Sequence, residues 1–188
     1  MVKIGICGLT ILLFIPQYAR AGNDPIFGNS RSATERSGDW LQLLIPFSAL
    51  AYSSVIADWE GVSELALSYG TTAVATEILK NTIREERPYQ PEGEDGKTFP
   101  SGHTSAAFAG ASYWQTRYGW AVGAPMYAAA AYVGWTRVEA YKHNWLDVFA
   151  GAALGIGVNF IFVTRYPGVK TLITPTDGGI ALHISTNF

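Results

Sequence analysis

Lys80-x6-Arg87-Pro88, Pro100-Ser101-Gly102-His103 and Thr136-Arg137-x5-His143-x3-Asp147 are the stretches of this chain whose residue types and spacing could do chemistry. They contain three fixed cations, two histidines, a Ser-Gly pair and a carboxylate, with no cysteine cluster and no metal-ligand spacing. Fixed cations suit an anion, and two histidines suit acid–base or nucleophilic work on it. The reading is a phosphate site with a histidine nucleophile.

Each stretch has a physical rationale and a plainer alternative. Lys80 and Arg87 are two helical turns apart and would share a face if one helix ran through both. Pro88 pushes Arg87 out of the α region, so the helix should end just before it, leaving the guanidinium at a mouth where it can fork onto phosphate oxygens. The alternative is surface pairing of both cations with Glu77, Glu85 or Glu86. Ser101 is a natural helix cap, and Gly102 lets backbone N–H groups approach an anion at the positive end of the helix that follows. His103 then sits where it could give a proton to a leaving oxygen. His143 and Asp147 are i and i+4, neighbours if a helix has begun by Asn144. A carboxylate on one ring nitrogen fixes the tautomer and leaves the other nitrogen free to attack, although an ordinary helix-surface pair has the same spacing. Arg137 is a further candidate phosphate ligand.

Taken together and in this order, the three stretches resemble the tripartite signature of the type 2 phosphatidic acid phosphatase superfamily, which includes lipid phosphate phosphatases, bacterial class A acid phosphatases and vanadium haloperoxidases. One departure is Thr136, where the family usually has Ser; the hydroxyl is kept. The Pro88–Pro100 gap is also short, which implies a small lid and an open mouth. The resemblance implies that His143 attacks phosphorus to form a phosphohistidine, that Asp147 orients it, and that His103 protonates the leaving group. Lys80, Arg87, Ser101, Gly102 and Arg137 would hold the equatorial oxygens. No metal or other cofactor is implied, and vanadate is expected to inhibit as a mimic of the transition state.

The elements that must position these residues are helical. In 188 residues, one domain's worth, hydrophobic residues make up 48% and charged ones 15%, below the roughly 25% charge usual in soluble domains. A mean hydropathy of +0.13 is nevertheless modest for a membrane protein. Apolar or small-residue segments at 40–57, 62–80, 101–118, 120–135 and 144–164 give an all-α bundle of about five helices. Segments 41–57 and 145–164 are about long enough to cross a bilayer, and 104–117 and 120–135 are short. The expectation is a membrane-embedded bundle with Lys80, His103, Arg137 and His143 on one side. Arg117, Arg165 and Lys170 would face the cytoplasm, as the positive-inside rule wants, although the acidic loop Asp58–Gly61 falls there too.

Residues 1–21 read as a secretory signal: Lys3, an apolar Ile4–Ile15 run short of the ~20 residues of a span, and Ala19-Arg20-Ala21 for cleavage. Cys7, the one cysteine, would leave with it, so the mature chain has no disulfide framework. The chain has 13 cations and 15 acids; without Lys3 and Arg20, 11 cations stand against 15 acids, a charge of −4. There is no basic patch for nucleic acid. Residues 22–39 read as a polar lead-in, 40–167 as the helical phosphatase domain, and 168–188 as an accessory tail whose alternation and Pro-Thr-Asp-Gly-Gly turn fit a short β-hairpin.

The site implies a phosphatase acting on lipid phosphate monoesters or pyrophosphates (undecaprenyl pyrophosphate, phosphatidic acid, phosphatidylglycerol phosphate or a lipid A phosphate) at the periplasmic face of a bacterial inner membrane. The alternatives are a soluble periplasmic acid phosphatase, a vanadium haloperoxidase for which the chain is small, and a non-enzymatic helical module packed through Gly151-x3-Gly155.

Overall fold

The computed structural model describes residues 32–85 and 97–167, and the backbone of 169–176 and 179–186. The signal reading of 1–21, most of the polar lead-in, Arg87 and Pro88 lie outside the described residues.

Five helices follow one another among the described residues, with short connections except between the second and the third. α1 (Ala33–Val55) starts well before the apolar segment that heralds it in the sequence. Ser32 caps it by accepting the Glu35 N–H at 3.0 Å, and its polar first turns dock against the rest of the molecule, burying Glu35 and Gly38. The residues expected as the end of a surface lead-in are thus helical and partly internal. α2 (Trp59–Ile83) is capped by Asp58, which accepts the Gly61 N–H at 3.0 Å, and ends at Arg84 in the left-handed conformation. α3 (Gly102–Tyr118), α4 (Trp120–Glu139) and α5 (Trp145–Phe162) complete the bundle. After it, β1 (Val169–Thr176) and β2 (Gly179–Thr186) pair antiparallel, Val169 opposite Thr186 and Thr176 opposite Gly179.

α3 is the axis of the bundle and touches all four other helices. Its composition explains why it can. Ala107, Ala109, Gly110, Ala111 and Ser112 are buried and small, so neighbouring backbones approach closely. A Cβ on Gly110 would stand 2.8 Å from the Pro46 nitrogen of α1. On α5, Gly151 and Gly155 lie against α3 so tightly that a Cβ on either would meet the carbonyl oxygen of Ser101 at 2.6 Å or of Ser105 at 2.5 Å. Gly151-x3-Gly155 is therefore a seam of helix packing inside the fold.

The two ends of the bundle differ chemically. At one end lie the start of α1, the end of α2, the start of α3, the end of α4 and the start of α5. At the other, Arg117 is buried among carboxylates: Nε and Nη2 donate to Asp58 at 2.8 and 2.5 Å, Nη2 to Glu60 at 3.2 Å, and Nη1 to Glu64 at 3.2 Å. The acidic loop that gave the charge rule no support is thus the partner of Arg117, whose charge it neutralises.

Candidate active site

The first end of the bundle gathers the described residues of the three stretches whose residue types could do chemistry. His103 stands in the first turn of α3, just after Ser101 at the cap position. Ser101 makes no side-chain cap bond, contrary to the expectation from its type. Its hydroxyl instead accepts from Thr104 Oγ1 at 3.0 Å, and its N–H donates to the Asp147 carbonyl at 3.0 Å. That last bond ties the start of α3 to the start of α5. The first-turn N–H groups of a helix have no acceptor within it, so an anion near Gly102 meets bare donors and the positive end of the dipole. Lys80, in the last turn of α2, completes this side. Its ammonium lies 3.4 Å from the place a Cβ on Gly102 would take, so it stands directly beside the helix start.

His143 lies in the short connection between α4 and α5, two residues before α5 begins. Its Nδ1 is 3.3 Å from Asp147 Oδ2, and the same oxygen accepts the Asn144 N–H at 2.9 Å. Asn144 and Asp147 form a reciprocal capping box, so one carboxylate starts the helix and orients the imidazole. His143 and Asp147 are both buried. With Nδ1 facing Asp147, the remaining ring nitrogen is Nε2.

Arg137, in the last turn of α4, is 1% exposed and held on three sides. Nε donates to Thr136 Oγ1 at 3.2 Å, Nη1 to Asp39 Oδ1 at 2.7 Å and Nη2 to the Glu35 carbonyl at 2.7 Å. A guanidinium has five N–H donors, so one on each Nη remains for a ligand. The hydroxyl at 136 is thus more than a retained polar group, because it steers the arginine.

Sequence reasoning missed α1's share in this end. Asp39 Oδ1 also lies 3.0 Å from His103 Nε2, joining His103 and Arg137 through one oxygen. Glu35 pairs with Lys142, the residue just before His143. The signal available was an aspartate at the edge of an apolar segment and a lysine inside the third stretch. Beside His103 a cleft of about 430 Å³ opens, lined by Arg36, Asp39, Trp40, Leu43, Arg137 and Lys142 among others. Burial and the neighbouring Arg137 charge hold the His103 pKa below the ordinary imidazole value, with a further push from Lys142, against the opposing pull of Asp39. Burial would raise the Asp39 pKa, but the charges and hydrogen bonds of Arg137 and His103 outweigh it and hold the carboxyl below its usual range.

An all-helical bundle with two histidines, a lysine and an arginine gathered at one end is the arrangement of one known class. The model of the PAP2 superfamily matches residues 61–170, and the chain belongs to that superfamily; it is a phosphatase of PAP2 type. It is 29% identical over 149 residues to a lipid A 4'-phosphatase of Helicobacter pylori, covering 75% of each chain. It is 39% identical over 90 residues to lipid phosphate phosphatase 1 of Arabidopsis thaliana, 39% of this chain and 27% of that one. Among solved structures, LpxE of Aquifex aeolicus superposes with a TM-score of 0.58 at 26% identity, covering 71% of this chain and 87% of the other. A transmembrane PAP2-type phosphatidylglycerolphosphate phosphatase of Bacillus subtilis gives 0.53 at 26% identity, covering 69% and 71%.

Proposed function

We propose that this chain hydrolyses lipid phosphate monoesters or pyrophosphates through a phosphohistidine formed on His143. The observation that carries the reading is the His143–Asp147 pair, tied through Ser101 to the helix start that bears His103. With Nδ1 on Asp147, Nε2 attacks phosphorus in line while the bond to the leaving oxygen breaks. His103 gives that oxygen a proton. The neutral His103 then takes a proton from water, the hydroxide attacks the phosphohistidine, and phosphate leaves with His143 restored. Lys80, Arg137 and the N–H groups around Ser101 and Gly102 hold the equatorial oxygens, where charge is spread in the transition state, and Arg87, outside the described residues, is assigned to the same task from the sequence motif. These fixed cations supply the electrostatic stabilisation, so the reading calls for no metal, and vanadate should inhibit.

His103 is held below the ordinary imidazole value by burial and by the cations beside it. A bound phosphate offsets those cations and raises its proton affinity, the direction a general acid needs.

The substrate class follows from the surroundings. Leu44, Phe47, Val55, Leu67, Val74, Ile78, Phe160 and Ile161 are large, apolar and exposed on the outside of the bundle, a surface suited to lipid. α5 is long and apolar enough to cross a membrane. The helices, crossing over about residues 41–57, 62–80, 104–117, 120–135 and 145–162, would hold the site at the periplasmic face, where lipid headgroups meet it. The relatives named for lipid A and phosphatidylglycerolphosphate support a glycolipid or glycerolipid phosphate. A soluble acid phosphatase is the second reading, favoured by α5 being the one described helix that passes the length-and-hydropathy test for a span.

The test is a phosphate-release panel on the purified chain: undecaprenyl pyrophosphate, phosphatidic acid, phosphatidylglycerol phosphate, a lipid A phosphate and p-nitrophenyl phosphate, with and without detergent. Lipid turnover that falls to below about 1% in His143→Ala is the expected result, since losing a covalent nucleophile removes the pathway itself. Retention of more than a few per cent would remove His143 from its role. Faster turnover of the small ester without detergent would favour the soluble reading.

A further inference from the structure

We propose that Asp39 is a positioning residue of this phosphatase, holding the acid His103 and the phosphate ligand Arg137 in register through one carboxylate oxygen, so that α1 forms part of the active site. This inference rests on the phosphatase reading above, in which His103 gives the proton.

The geometry is built, not incidental. Three features of α1 dock on the Thr136–Arg137 pair. The Glu35 carbonyl accepts from Nη2, Asp39 accepts from Nη1, and between them Gly38 has no side chain to obstruct the approach. A Cβ on Gly38 would stand 2.8 Å from Arg137 Nη2 and collide with Thr136. The family match begins at residue 61, so this whole docking surface lies before it. Asp39 therefore supplies to the second and third motifs a contact that neither motif contains.

Two consequences follow from a carboxylate in this place. An ionised Asp39 is acceptor-only, so His103 Nε2 must carry a proton to bond it. That fixes the ring orientation and, in the neutral ring, leaves Nδ1 without a proton until the second is bound. The charge of Asp39 also favours that second proton, against the cations crowding the ring. Those that face it are Arg36 from α1 at the cleft, Arg137 from α4 and Lys142 from the α4–α5 connection, with Lys80 of α2 beside the adjoining Gly102. Among these groups Asp39 is the one that makes imidazolium easier to form. Without it, the lowering influence of Arg137 and Lys142 would act unopposed by Asp39, and His103 would lose its proton at lower pH.

The experiment compares wild type, Asp39→Asn and Asp39→Glu on phosphatidic acid and on p-nitrophenyl phosphate in the same detergent. Nitrophenolate leaves without needing a proton, whereas the glycerol oxygen of phosphatidic acid does not. For Asp39→Asn the expected result is a fall in kcat of about 10²-fold on phosphatidic acid, the lower end of what a general acid contributes. The loss on p-nitrophenyl phosphate should be several-fold smaller, and the alkaline fall of kcat/KM should move to lower pH. Asp39→Glu, which keeps the charge, should keep the wild-type pH limb while losing some kcat. Equal losses on both esters with an unmoved limb would make Asp39 merely structural and overturn the proposal, as would no loss at all. A proton NMR titration of His103 reads the same coupling without turnover. A lower midpoint in Asp39→Asn supports the proposal and an unchanged one sinks it. A wild type that hydrolyses neither ester would fail the phosphatase reading separately, while the titration would still decide whether Asp39 governs His103.

Discussion

Thr136 is a small residue with a large geometric responsibility. Its hydroxyl donates to the Val133 carbonyl at 2.7 Å and accepts from Arg137 Nε at 3.2 Å, inside a region with no solvent contact. Serine can make both bonds, and valine, of nearly the same shape, can make neither. Thr136→Ser is therefore expected to keep kcat/KM within about 3-fold. Thr136→Val leaves a buried guanidinium N–H unpaired at a cost of about 1–3 kcal/mol, and kcat/KM should fall roughly 10-fold or more as Arg137 loses its aim. The comparison is one set of initial-rate measurements, and equal rates for the two variants would show that the hydroxyl is idle. At this scale the chemistry was legible wherever partners are close in sequence. His143 and Asp147 are four residues apart, and their bond could be anticipated from helical spacing. Asp39 was not legible, because its partners lie 64 and 98 residues away and no local period links them. A lone aspartate before an apolar run reads as a boundary marker until the fold brings α3 and α4 to it.

The number and kind of helices could be read from the sequence, because apolar runs separated by Gly, Pro and charge imply them. The start of α1 could not, because its first turns are polar and face protein, where hydrogen bonds replace hydrophobicity as the reason for burial. α3 was legible in extent but not in role. It is surrounded by the other helices, so small residues suit it better than the large apolar ones that mark a lipid-facing span. At the opposite end of the bundle, the Arg117 cluster joins the α1–α2 turn, α2, α3 and, through the Thr164 hydroxyl and carbonyl, the end of α5. Burial alone would raise the Asp58 pKa; the Arg117 hydrogen bonds and charge, with the Gly61 N–H and the Tyr118 hydroxyl, hold it below the usual carboxylate range instead. A carboxylate whose pKa is depressed by folding stabilises the fold above the ordinary carboxylate range, and that stability is lost as pH falls through the depressed value. Arg117→Met strands Asp58 and Glu64 without a counter-charge and is expected to cost about 3–5 kcal/mol at neutral pH, the range for breaking a buried ion pair. The sign of the acid response should also reverse. Wild type loses stability as Asp58 takes up protons, whereas in Arg117→Met protonation relieves the stranded charge. Thermal unfolding of the two proteins from neutral pH down to about pH 2, below the ordinary carboxylate range, reads both effects, and a variant that weakens in acid as wild type does would contradict this account of the cluster.

Across the whole molecule the helices alternate direction, so α1, α3 and α5 leave the histidine-bearing end and α2 and α4 return to it. If they cross a bilayer, all the chemistry faces one side and the Arg117 cluster the other. The ends are unequal in charge. At the first, Arg137 pairs with Asp39 and Lys142 with Glu35 while Lys80 and Arg36 add further positive charge; at the second, Arg117 is enclosed by the three carboxylates of Asp58, Glu60 and Glu64. A count of lysines and arginines along the sequence therefore misleads about orientation, because Arg117 belongs to an internal cluster and not to a loop. Orientation therefore rests on the proposal that the site faces the periplasm, which labelling can test. Two exposed positions separate the possibilities: Glu139 at the end of α4, beside the site, and Arg165 beyond α5. In a Cys7→Ser background, Glu139→Cys should react with a membrane-impermeant maleimide on intact spheroplasts, and Arg165→Cys should react only after the membrane is opened. The opposite pattern would invert the orientation and put the site in the cytoplasm. Reaction of both in the soluble periplasmic fraction would remove the bundle from the membrane altogether and leave the exposed apolar side chains of α1, α2 and α5 needing another partner.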